Sequence, residues 1–353
     1  MAKLYSLPEI ITKAQRLRAS DIHIVCGIPI RVRVDGRLNN LDTNIMTAQD
    51  CEEYAKEISN HYDDISHIGE QDLAIGFADG TRCRVNLFRQ QGYVSAAIRI
   101  LNNHIPAFEE LGLPAAVANF TNFNQGIVLV TGETGSGKST TLACLLDKIN
   151  HTQNKHIITL EDPIEYIYTS DQCIINQREV GQDTRSYADG LKAILREDPD
   201  VILIGEMRNY ATIETALIAA ETGHLVFATL HTNSAADTVD RIVDVFPAEQ
   251  QHQIRMQLSM SLQAVVCQQL LPHMSGRGRV LATEVMIANG AIRNLIREGK
   301  TPQIGNAIAT SGDMGNHLMD SSLISLYKQR KITSDMAIKH AHDPDYVRRS
   351  TLF

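Results

Sequence analysis

Residues 128–139 read Val-Leu-Val-Thr-Gly-Glu-Thr-Gly-Ser-Gly-Lys-Ser and join an apolar run to a glycine-rich loop. The apolar run from Ile127 to Val130 predicts a buried strand, and the spacing of Gly132 from Gly137-Lys138-Ser139 is the P-loop pattern. In such a loop the backbone N–H groups turn inward toward phosphate oxygens, at the N-terminus of a helix that already favours anions. The sequence therefore predicts a site for the phosphates of a nucleotide.

Two side chains of this loop have predicted roles of their own. Lys138 can reach the terminal phosphates, and the hydroxyl of Ser139 can ligate Mg²⁺. Apolar residues at Leu142, Leu145 and Ile149 predict that the helix after the loop packs against a core. The residues predicted to bind the nucleotide here are Gly132, Glu133, Thr134, Gly135, Ser136, Gly137, Lys138, Ser139 and Thr140.

The composition is typical of a globular protein and limits its partners. A length of 353 residues predicts about two domains. The formal charge of −8 argues against a protein that coats nucleic acid, because such proteins need a basic stripe. No apolar run approaches the ~18 residues that a membrane span requires, so we expect a cytoplasmic protein without direct membrane insertion. The six cysteines are scattered singly, which predicts neither a zinc site nor a disulfide framework.

The first third of the chain predicts a small α+β domain with arginines on one sheet face. Residues 81–89 and 94–100 have the pattern of strands, and side chains alternate between the faces of a strand. Arg82 and Arg84 therefore share a face, and Arg99 joins them from the next strand. We predict that Arg84 and Arg99 contact phosphates, with Arg82 as a third candidate; a solvated sheet face is the alternative.

Turn-rich residues near 102–106 and 113–114 place a domain boundary. We predict an N-terminal α+β domain over residues 1–101, a linker over 102–114 and a nucleotide-binding domain with C-terminal helices over 115–353. In the last domain, short apolar runs alternate with helical stretches, which predicts βαβ units, an α/β fold and a mainly parallel sheet. Its active loops should lie at the carboxyl ends of the strands. The predicted strands are 127–131, 157–160, 201–204 and 225–229.

Carboxylates follow two of these predicted strands. Glu206 stands where a Walker B carboxylate ends a strand, but Gly205 occupies the position of the usual Mg²⁺-holding Asp. Glu161 and Asp162 can supply that carboxylate from a neighbouring strand end. We predict that Glu206 orients the attacking water, with Glu161 as the other candidate for that role. The predicted Mg²⁺ ligands are Ser139, Glu161 and Asp162.

Two histidines, His224 and His231, flank the predicted strand 225–229. Single histidines most often make ordinary polar contacts. Their placement nevertheless suggests a second prediction, in which both belong to the catalytic site and sense the γ-phosphate of the nucleotide.

Together these residues resemble the secretion ATPase superfamily of type II secretion, type IV pili and type IV secretion. The motifs that carry the resemblance are Ala19-Ser-Asp-Ile-His23, the P-loop, Thr159-Leu-Glu-Asp-Pro-Ile-Glu165, Asp200-Val-Ile-Leu-Ile-Gly-Glu206 and the run from Thr222 to His231. The resemblance implies a RecA-like P-loop ATPase domain preceded by a PAS-like α+β domain. It also implies a homohexameric ring with ATP and Mg²⁺ between subunits, in which the sheet-face arginines stabilise charge within a chain or across the interface.

Within this superfamily, two features resemble the branch that retracts type IV pili. The four-cysteine zinc insert of the extension and type II enzymes is absent from the sequence. The run Ala291-Ile-Arg-Asn-Leu-Ile-Arg-Glu298 matches a motif associated with retraction, whose residues here are Ala291, Ile292, Arg293, Asn294, Leu295 and Ile296. As a helix it would place Ala291, Ile292, Leu295 and Ile296 in one apolar stripe. The resemblance implies twitching motility, driven by pulling on an inner-membrane pilus platform protein (PilC-like).

Other functions are also compatible with the sequence. One alternative is a sister secretion-type ATPase, for type IV secretion or for secondary pilus retraction. A RecA-like DNA motor is a more distant one, and the acidic balance predicts no nucleic-acid binding. A nucleotide-sensing scaffold without hydrolysis is disfavoured by Glu206, Glu161 and the two histidines. The sequence also departs from its family at Asn209, where Asp is common, which puts an ion pair of Arg208 in doubt.

Overall fold

The structure is a computed structural model that describes residues 5–34, 37–59, 61–63, 65, 69–77, 80–101 and 104–351. The chain divides into two compact units. Unit 1 holds residues 1–104 and 165–167, and unit 2 holds 105–164 and 168–353. The division after residue 104 lies inside the predicted linker, of which residues 102 and 103 are outside the described part. The linker itself stays a prediction.

Unit 1 is an α+β domain built on one antiparallel sheet. The six strands lie in the order β3-β2-β1-β6-β5-β4. They are β1 Asp21–Ile24, β2 Pro29–Val34, β3 Arg37–Ile45, β4 Glu70–Gly76, β5 Arg82–Gln90 and β6 Tyr93–Ile100, with helices α1 Leu7–Arg16 and α2 Ala48–Ile58.

Alternation along these strands separates the two faces of the sheet. Ile22, Val85 and Ile98 are fully buried and pack in one core with residues of both helices. The backbone N–H of Ser6 donates to Glu9 Oε2 at 2.7 Å at the start of α1, as part of a capping box. The face opposite the core carries the polar side chains.

Unit 2 is built on a seven-stranded sheet in the order β13-β12-β7-β11-β10-β8-β9. The strands are β7 Gly126–Thr131, β8 His156–Glu161, β9 Ile174–Glu179, β10 Val201–Ile204, β11 Leu225–Leu230, β12 Leu262–Pro272 and β13 Arg279–Ile287. The helices are α3 Ala115–Ala118, α4 Lys138–Thr152, α5 Tyr187–Ile194, α6 Tyr210–Glu221, α7 Ala235–Asp244, α8 Ala248–Ser261, α9 Gly290–Arg297, α10 Ile304–Ala309, α11 Met319–Lys328, α12 Ser334–Lys339 and α13 Pro344–Thr351. Short 3₁₀ turns cover Phe108–Leu111, Asn119–Asn122, Thr301–Gln303 and Gly312–Met314.

All of these strands pair in parallel except β13, which is antiparallel to β12. The prediction of a mainly parallel α/β sheet is confirmed, and the four predicted strands are β7, β8, β10 and β11. Their residues are almost entirely buried because helices cover both faces of the sheet. On β7, for example, Leu129 packs into one core and Val130 into the other.

The parallel direction places the carboxyl ends of β7, β11, β10 and β8 side by side. The loops that follow these ends meet at one edge of the sheet, where α/β proteins hold their ligands. In the part of the chain that the structure describes, no helix has both the length and the apolar character of a membrane span.

Candidate functional site

The P-loop leaves the carboxyl end of β7 and closes at the start of α4. Gly132 has a φ of +136°, and a Cβ there would lie 2.3 Å from the carbonyl oxygen of Gln268 and 2.7 Å from Ser136 Oγ. A side chain at this position would therefore force the loop away from β12, so only glycine fits.

The interior of the loop suits an anion. The ammonium of Lys138 is buried and donates to the carbonyls of Gly132, at 2.8 Å, and Glu133, at 3.0 Å. Ser136 Oγ is buried and has no hydrogen-bond partner among the described residues. A buried hydroxyl of this kind is costly unless it finds an acceptor, and a phosphate oxygen would be one. Ser139 and Thr140 follow, half-buried, in the first turn of α4.

Glu206 lies just beyond the end of β10 and contacts two basic side chains. Its Oε2 is 2.8 Å from Arg208 Nη2, and its Oε1 is 3.3 Å from His231 Nε2. Burial works to raise the pKa of Glu206, but the Arg208 guanidinium, and after it His231, bring the pKa below its ordinary value. The carboxylate is therefore ionised at neutral pH, which suits a group that holds a water in line.

Arg208 has an ion pair despite the departure from the family pattern at the next residue. Its partner is Glu206, the residue two positions earlier. Asn209 instead begins α6 as its N-cap, since its Oδ1 accepts from Thr212 N at 3.0 Å. The doubt about Arg208 raised by the sequence is thereby removed.

A side chain at Gly205 would be closely packed. A Cβ there would lie 3.0 Å from Tyr187 Oη and 3.3 Å from the Cα of Glu161, because β8 and β10 are adjacent. This close approach puts the Glu161 backbone beside the position that an Asp would otherwise occupy.

Glu161 and Asp162 differ in their surroundings. Glu161 is buried, and its Oε1 accepts from Thr159 Oγ1 at 2.7 Å and from Gln177 Nε2 at 3.4 Å. Asp162 is exposed. Mg²⁺ is commonly held by one or two carboxylates together with substrate phosphates, so these oxygens and the Ser139 hydroxyl fit its donor preference. Among the described residues no group of three or more Asp, Glu, His or Cys side chains forms a metal cage.

The two histidines lie at opposite edges of the sheet. Leu230 pairs with Thr131 at the P-loop end of β7, whereas Leu225 pairs with Gly126 at its other end. Because β11 spans six residues, its length of about 20 Å separates His224 from His231. His224 Nδ1 contacts the carbonyl of Ala219 at 2.9 Å, at the end of α6. The structure brings His231 to Glu206 and leaves His224 at the other end of β11. That His224 also senses the γ-phosphate stays a prediction.

In unit 1 the predicted arginines share one sheet face. Arg84 pairs directly with Arg99 in the β5–β6 register, and Arg99 pairs on its other side with Asp21 of β1. Arg99 Nε lies 2.9 Å from Asp21 Oδ1, and this contact offsets the repulsion between the facing arginines. Arg84 is exposed, and Arg82 is half-buried on the same face.

The retraction motif forms α9, with one correction to its predicted stripe. Ile292 and Ile296 are buried and Leu295 is half-buried, but Ala291, the fourth residue of the predicted stripe, is exposed. Asn294, which lies outside the stripe, is exposed as well. Arg293 does not point to solvent as an ordinary polar residue would. It donates to the carbonyls of Ser259, at 2.9 Å, and Met260, at 3.0 Å, which lie in the last turn of α8.

Comparison with known proteins agrees with this geometry. The family model described as Type II/IV secretion system protein matches residues 3–311. The chain belongs to this family. The predicted resemblance and the predicted fold, a RecA-like domain after an α+β domain, are both confirmed.

Among members of the Type II/IV secretion system family, the type IV pilus retraction ATPase PilT of Pseudomonas aeruginosa is 43% identical over 341 residues, which cover 96% of this chain and 99% of the relative. The twitching motility protein of Neisseria gonorrhoeae is 45% identical over 318 residues, covering 89% and 84%. The crystal structure of the pilus retraction motor PilT with bound ADP matches with a TM-score of 0.92 at 48% identity, covering 98% of this chain and 99% of that one.

Two residues near the P-loop of this chain, Gln268 and Glu284, were not predicted from the sequence. Gln268, on β12, is buried beside Gly132 and donates through Nε2 to Thr141 Oγ1 of α4 at 2.8 Å. Glu284, on β13, is a buried carboxylate behind the loop that carries His231. A charged residue inside an apolar run such as Val280–Ile287 was the available signal for the second of them.

Proposed function

We propose that this chain is a motor ATPase that hydrolyses ATP with Mg²⁺ to drive type IV pilus retraction and twitching motility. The proposed motor is a cytoplasmic homohexamer, peripheral to the inner membrane through the pilus machine. Its proposed partner is the inner-membrane platform protein (PilC-like). Similarity to retraction ATPases over nearly the whole chain supports this choice over a sister secretion motor.

One observation carries the catalytic part of the proposal. Glu206 and His231 meet at 3.3 Å where β10 and β11 end, beside the strand that leads into the P-loop. A group that orients water must lie next to the terminal phosphate, and this edge of the sheet is where the loop would hold that phosphate.

The roles proposed for the chain's own residues follow from these positions. The P-loop backbone and Lys138 bind the phosphates, and Glu206 holds the attacking water. His231 contacts Glu206, so it can report the state of the γ-phosphate to that carboxylate. Ser139 with Glu161 or Asp162 would hold Mg²⁺, which supplies charge neutralisation for the phosphates.

The arginine face of unit 1 supplies the remaining proposed contacts. Arg84 and Arg99, with Arg82 as the third candidate, stabilise charge on the phosphates, either in their own chain or in a neighbouring subunit. Arg84 is exposed and forms no ion pair with the residues that the structure describes, so its guanidinium is available for an anion. Mixing Arg84→Ala subunits with Glu206→Gln subunits separates the two arrangements, since activity returns in the mixture only if the contact crosses an interface.

The proposal is tested in two steps. The purified chain should hydrolyse ATP and form hexamers by mass photometry, and Lys138→Ala should lose nucleotide binding while the exposed Lys192→Ala should not. In cells that lack their own retraction ATPase, the unsubstituted gene should restore twitching and remove excess pili. An active hexamer that restores neither would favour a sister secretion motor, and a chain without ATPase activity would end the motor proposal.

A further inference from the structure

Glu284 is a carboxylate with almost no exposure to solvent. Its relative exposure is 2%, and it lies opposite Cys267, which has none, in the register of β12 and β13. A buried carboxylate is strongly unfavourable unless hydrogen bonds and positive charge surround it. Its contacts therefore indicate what the residue holds in place.

Both oxygens of Glu284 accept hydrogen bonds from the first residues of helices. Oε1 accepts from Ala235 N of α7 at 2.7 Å, and Oε2 accepts from Met319 N of α11 at 3.3 Å. The positive ends of two helix dipoles meet at this one carboxylate. Burial raises the pKa of Glu284, and the N–H of Ala235 and the imidazole of His342, whose Nδ1 is 3.9 Å away, oppose that rise. The carboxylate thus ties α7 to the C-terminal helices.

Helix α7 begins four residues after His231, and its first turn fixes the loop between them. Ser234 is the N-cap and accepts from Asp237 N at 3.0 Å. Thr232 is buried, with its Oγ1 2.7 Å from Thr238 Oγ1. The Ser234 and Thr232 contacts both hold the loop to α7. The position of α7 therefore determines the position of His231.

A second contact connects the strand position opposite Glu284 with the start of the P-loop. Thr131, the last residue of β7, donates through Oγ1 to Cys267 Sγ at 3.1 Å. Cys267 is the cross-strand partner of Glu284. The carboxylate thus lies behind both the P-loop and the loop of His231.

We infer that Glu284 is a positioning residue for hydrolysis, which holds the start of α7 and thereby keeps His231 against Glu206. The inference rests on the proposed ATPase function, because His231 matters only if this edge of the sheet carries the reaction. Glu284 itself touches no nucleotide and acts through α7.

The test compares Glu284→Met and Glu284→Gln with Asp320→Asn. Methionine keeps the volume of Glu284 and removes both acceptors, while glutamine leaves one. Asp320 is the matched control, because it is also buried and accepts from the backbone N–H groups of His342 and Asp343, but not from α7. We expect kcat to fall about tenfold in Glu284→Met, with the affinity for a fluorescent ADP analogue nearly unchanged, and to stay unchanged in Asp320→Asn.

A double-mutant cycle asks whether the effect passes through His231. In a His231→Ala background, Glu284→Gln and Glu284→Met should change kcat by less than about twofold, because the residue that they displace is already gone. A loss of the same size in both backgrounds would overturn the inference. So would an unchanged kcat in folded Glu284→Met, or in Glu284→Gln if the methionine variant does not fold.

Hydrogen–deuterium exchange gives a readout that needs no turnover. Residues 231–238 should exchange faster in Glu284→Met than in Asp320→Asn, whether or not the unsubstituted chain hydrolyses ATP. Faster exchange in a chain without ATPase activity would reject the proposed function and keep the helix contact. Normal exchange at residues 231–238 in an active enzyme would reject the positioning role alone.

Discussion

His231 Nε2 lies 3.3 Å from Glu206 Oε1, although 24 residues of sequence lie between the two. The parallel pairing of the two strands produces this contact, because their carboxyl ends lie side by side. A carboxylate that meets an imidazole at the edge of a sheet next to a P-loop is placed for chemistry on a terminal phosphate.

Replacing Glu206 by Gln should abolish turnover and preserve binding. The amide keeps the size of the side chain but cannot accept a proton or hold water as a carboxylate does, so we expect kcat to fall at least about 100-fold. The affinity for ATP, measured by titration with a fluorescent analogue, should change little. The control is Glu221→Gln, an exposed carboxylate on α6 that contacts Gln257. Normal turnover by Glu206→Gln would remove Glu206 from its role.

The dependence of turnover on pH should reveal the contact between Glu206 and Arg208. The pKa of Glu206 is depressed, so the ionised carboxylate persists as the pH falls and is lost only when the pH passes through that lowered value. Arg208→Ala removes the strongest of the influences that lower this pKa. We therefore expect the acid limb of the kcat profile to move to higher pH.

The size of this shift should be modest, because the side chain of Arg208 is 70% exposed and solvent screens the pair. Arg178→Ala is a matched control, since Arg178 pairs with Glu197 at 2.7 Å, away from Glu206. An acid limb that stays in place in Arg208→Ala would show that another group controls it.

The features predicted from sequence were those that local patterns encode. The P-loop, the four central strands and the carboxylates at their ends each occupy a short run with its own signature. Because the polarity of a parallel sheet decides which flank of a strand lies at the carboxyl ends, His231 reaches Glu206 and His224 of the same chain does not. In the sequence the two histidines look equivalent, since both flank the same strand. Only the direction of that strand in the sheet distinguishes them.

The features missed depend on residues far apart in the chain. Glu284 meets Ala235 and Met319, which lie 49 and 35 residues away. The hairpin of β12 and β13 that carries it was not predicted, since glutamines interrupt the apolar run of β12. Arg293 reaches the end of α8, 33 and 34 residues earlier. No periodicity within a helix or strand reports such contacts.

In unit 1, replacing Asp21 by Asn should weaken the fold only slightly, and only above acidic pH. Asp21 is 15% exposed and its partner Arg99 is 65% exposed, so we expect a loss of no more than about 1 kcal/mol in the free energy of unfolding. Burial works to raise the pKa of Asp21, but hydrogen bonds from Ser20 and Arg99 bring it below its ordinary value. The stabilisation is therefore present above the unfolded pKa and is lost as the pH falls through the folded one.

Urea unfolding at neutral and at acidic pH measures this difference. Asp72→Asn is the control, because Asp72 lies on β4 of the same sheet and accepts from Asn86 rather than from an arginine. A difference between Asp21→Asn and the unsubstituted chain that persisted under acid would show that packing, and not the ion pair, is responsible.

Replacing Arg293 by Ala should destabilise unit 2, because it removes the cap at the end of α8. The guanidinium donates to Ser259 O, Met260 O and Gln263 Oε1, at 2.9, 3.0 and 3.0 Å, and its loss leaves the last carbonyls of α8 without this donor. A cost of about 1–3 kcal/mol is expected. Arg297→Ala, an exposed arginine on the same helix, should leave the melting temperature nearly unchanged.

These two variants, together with Asn294→Ala, separate two roles for the retraction motif. If α9 acts through its exposed side, Asn294→Ala or Arg297→Ala should impair twitching without a change in stability or in ATPase rate. If the motif matters only because Arg293 caps α8, Arg293→Ala alone should impair twitching, in proportion to its loss of stability. The structure places Asn294 and Arg297 in solvent and Arg293 on the end of α8. A loss of twitching through the exposed side of α9 can therefore be told apart from a loss through the cap on α8. Twitching-zone diameter measured beside the melting temperature for all three variants decides between them.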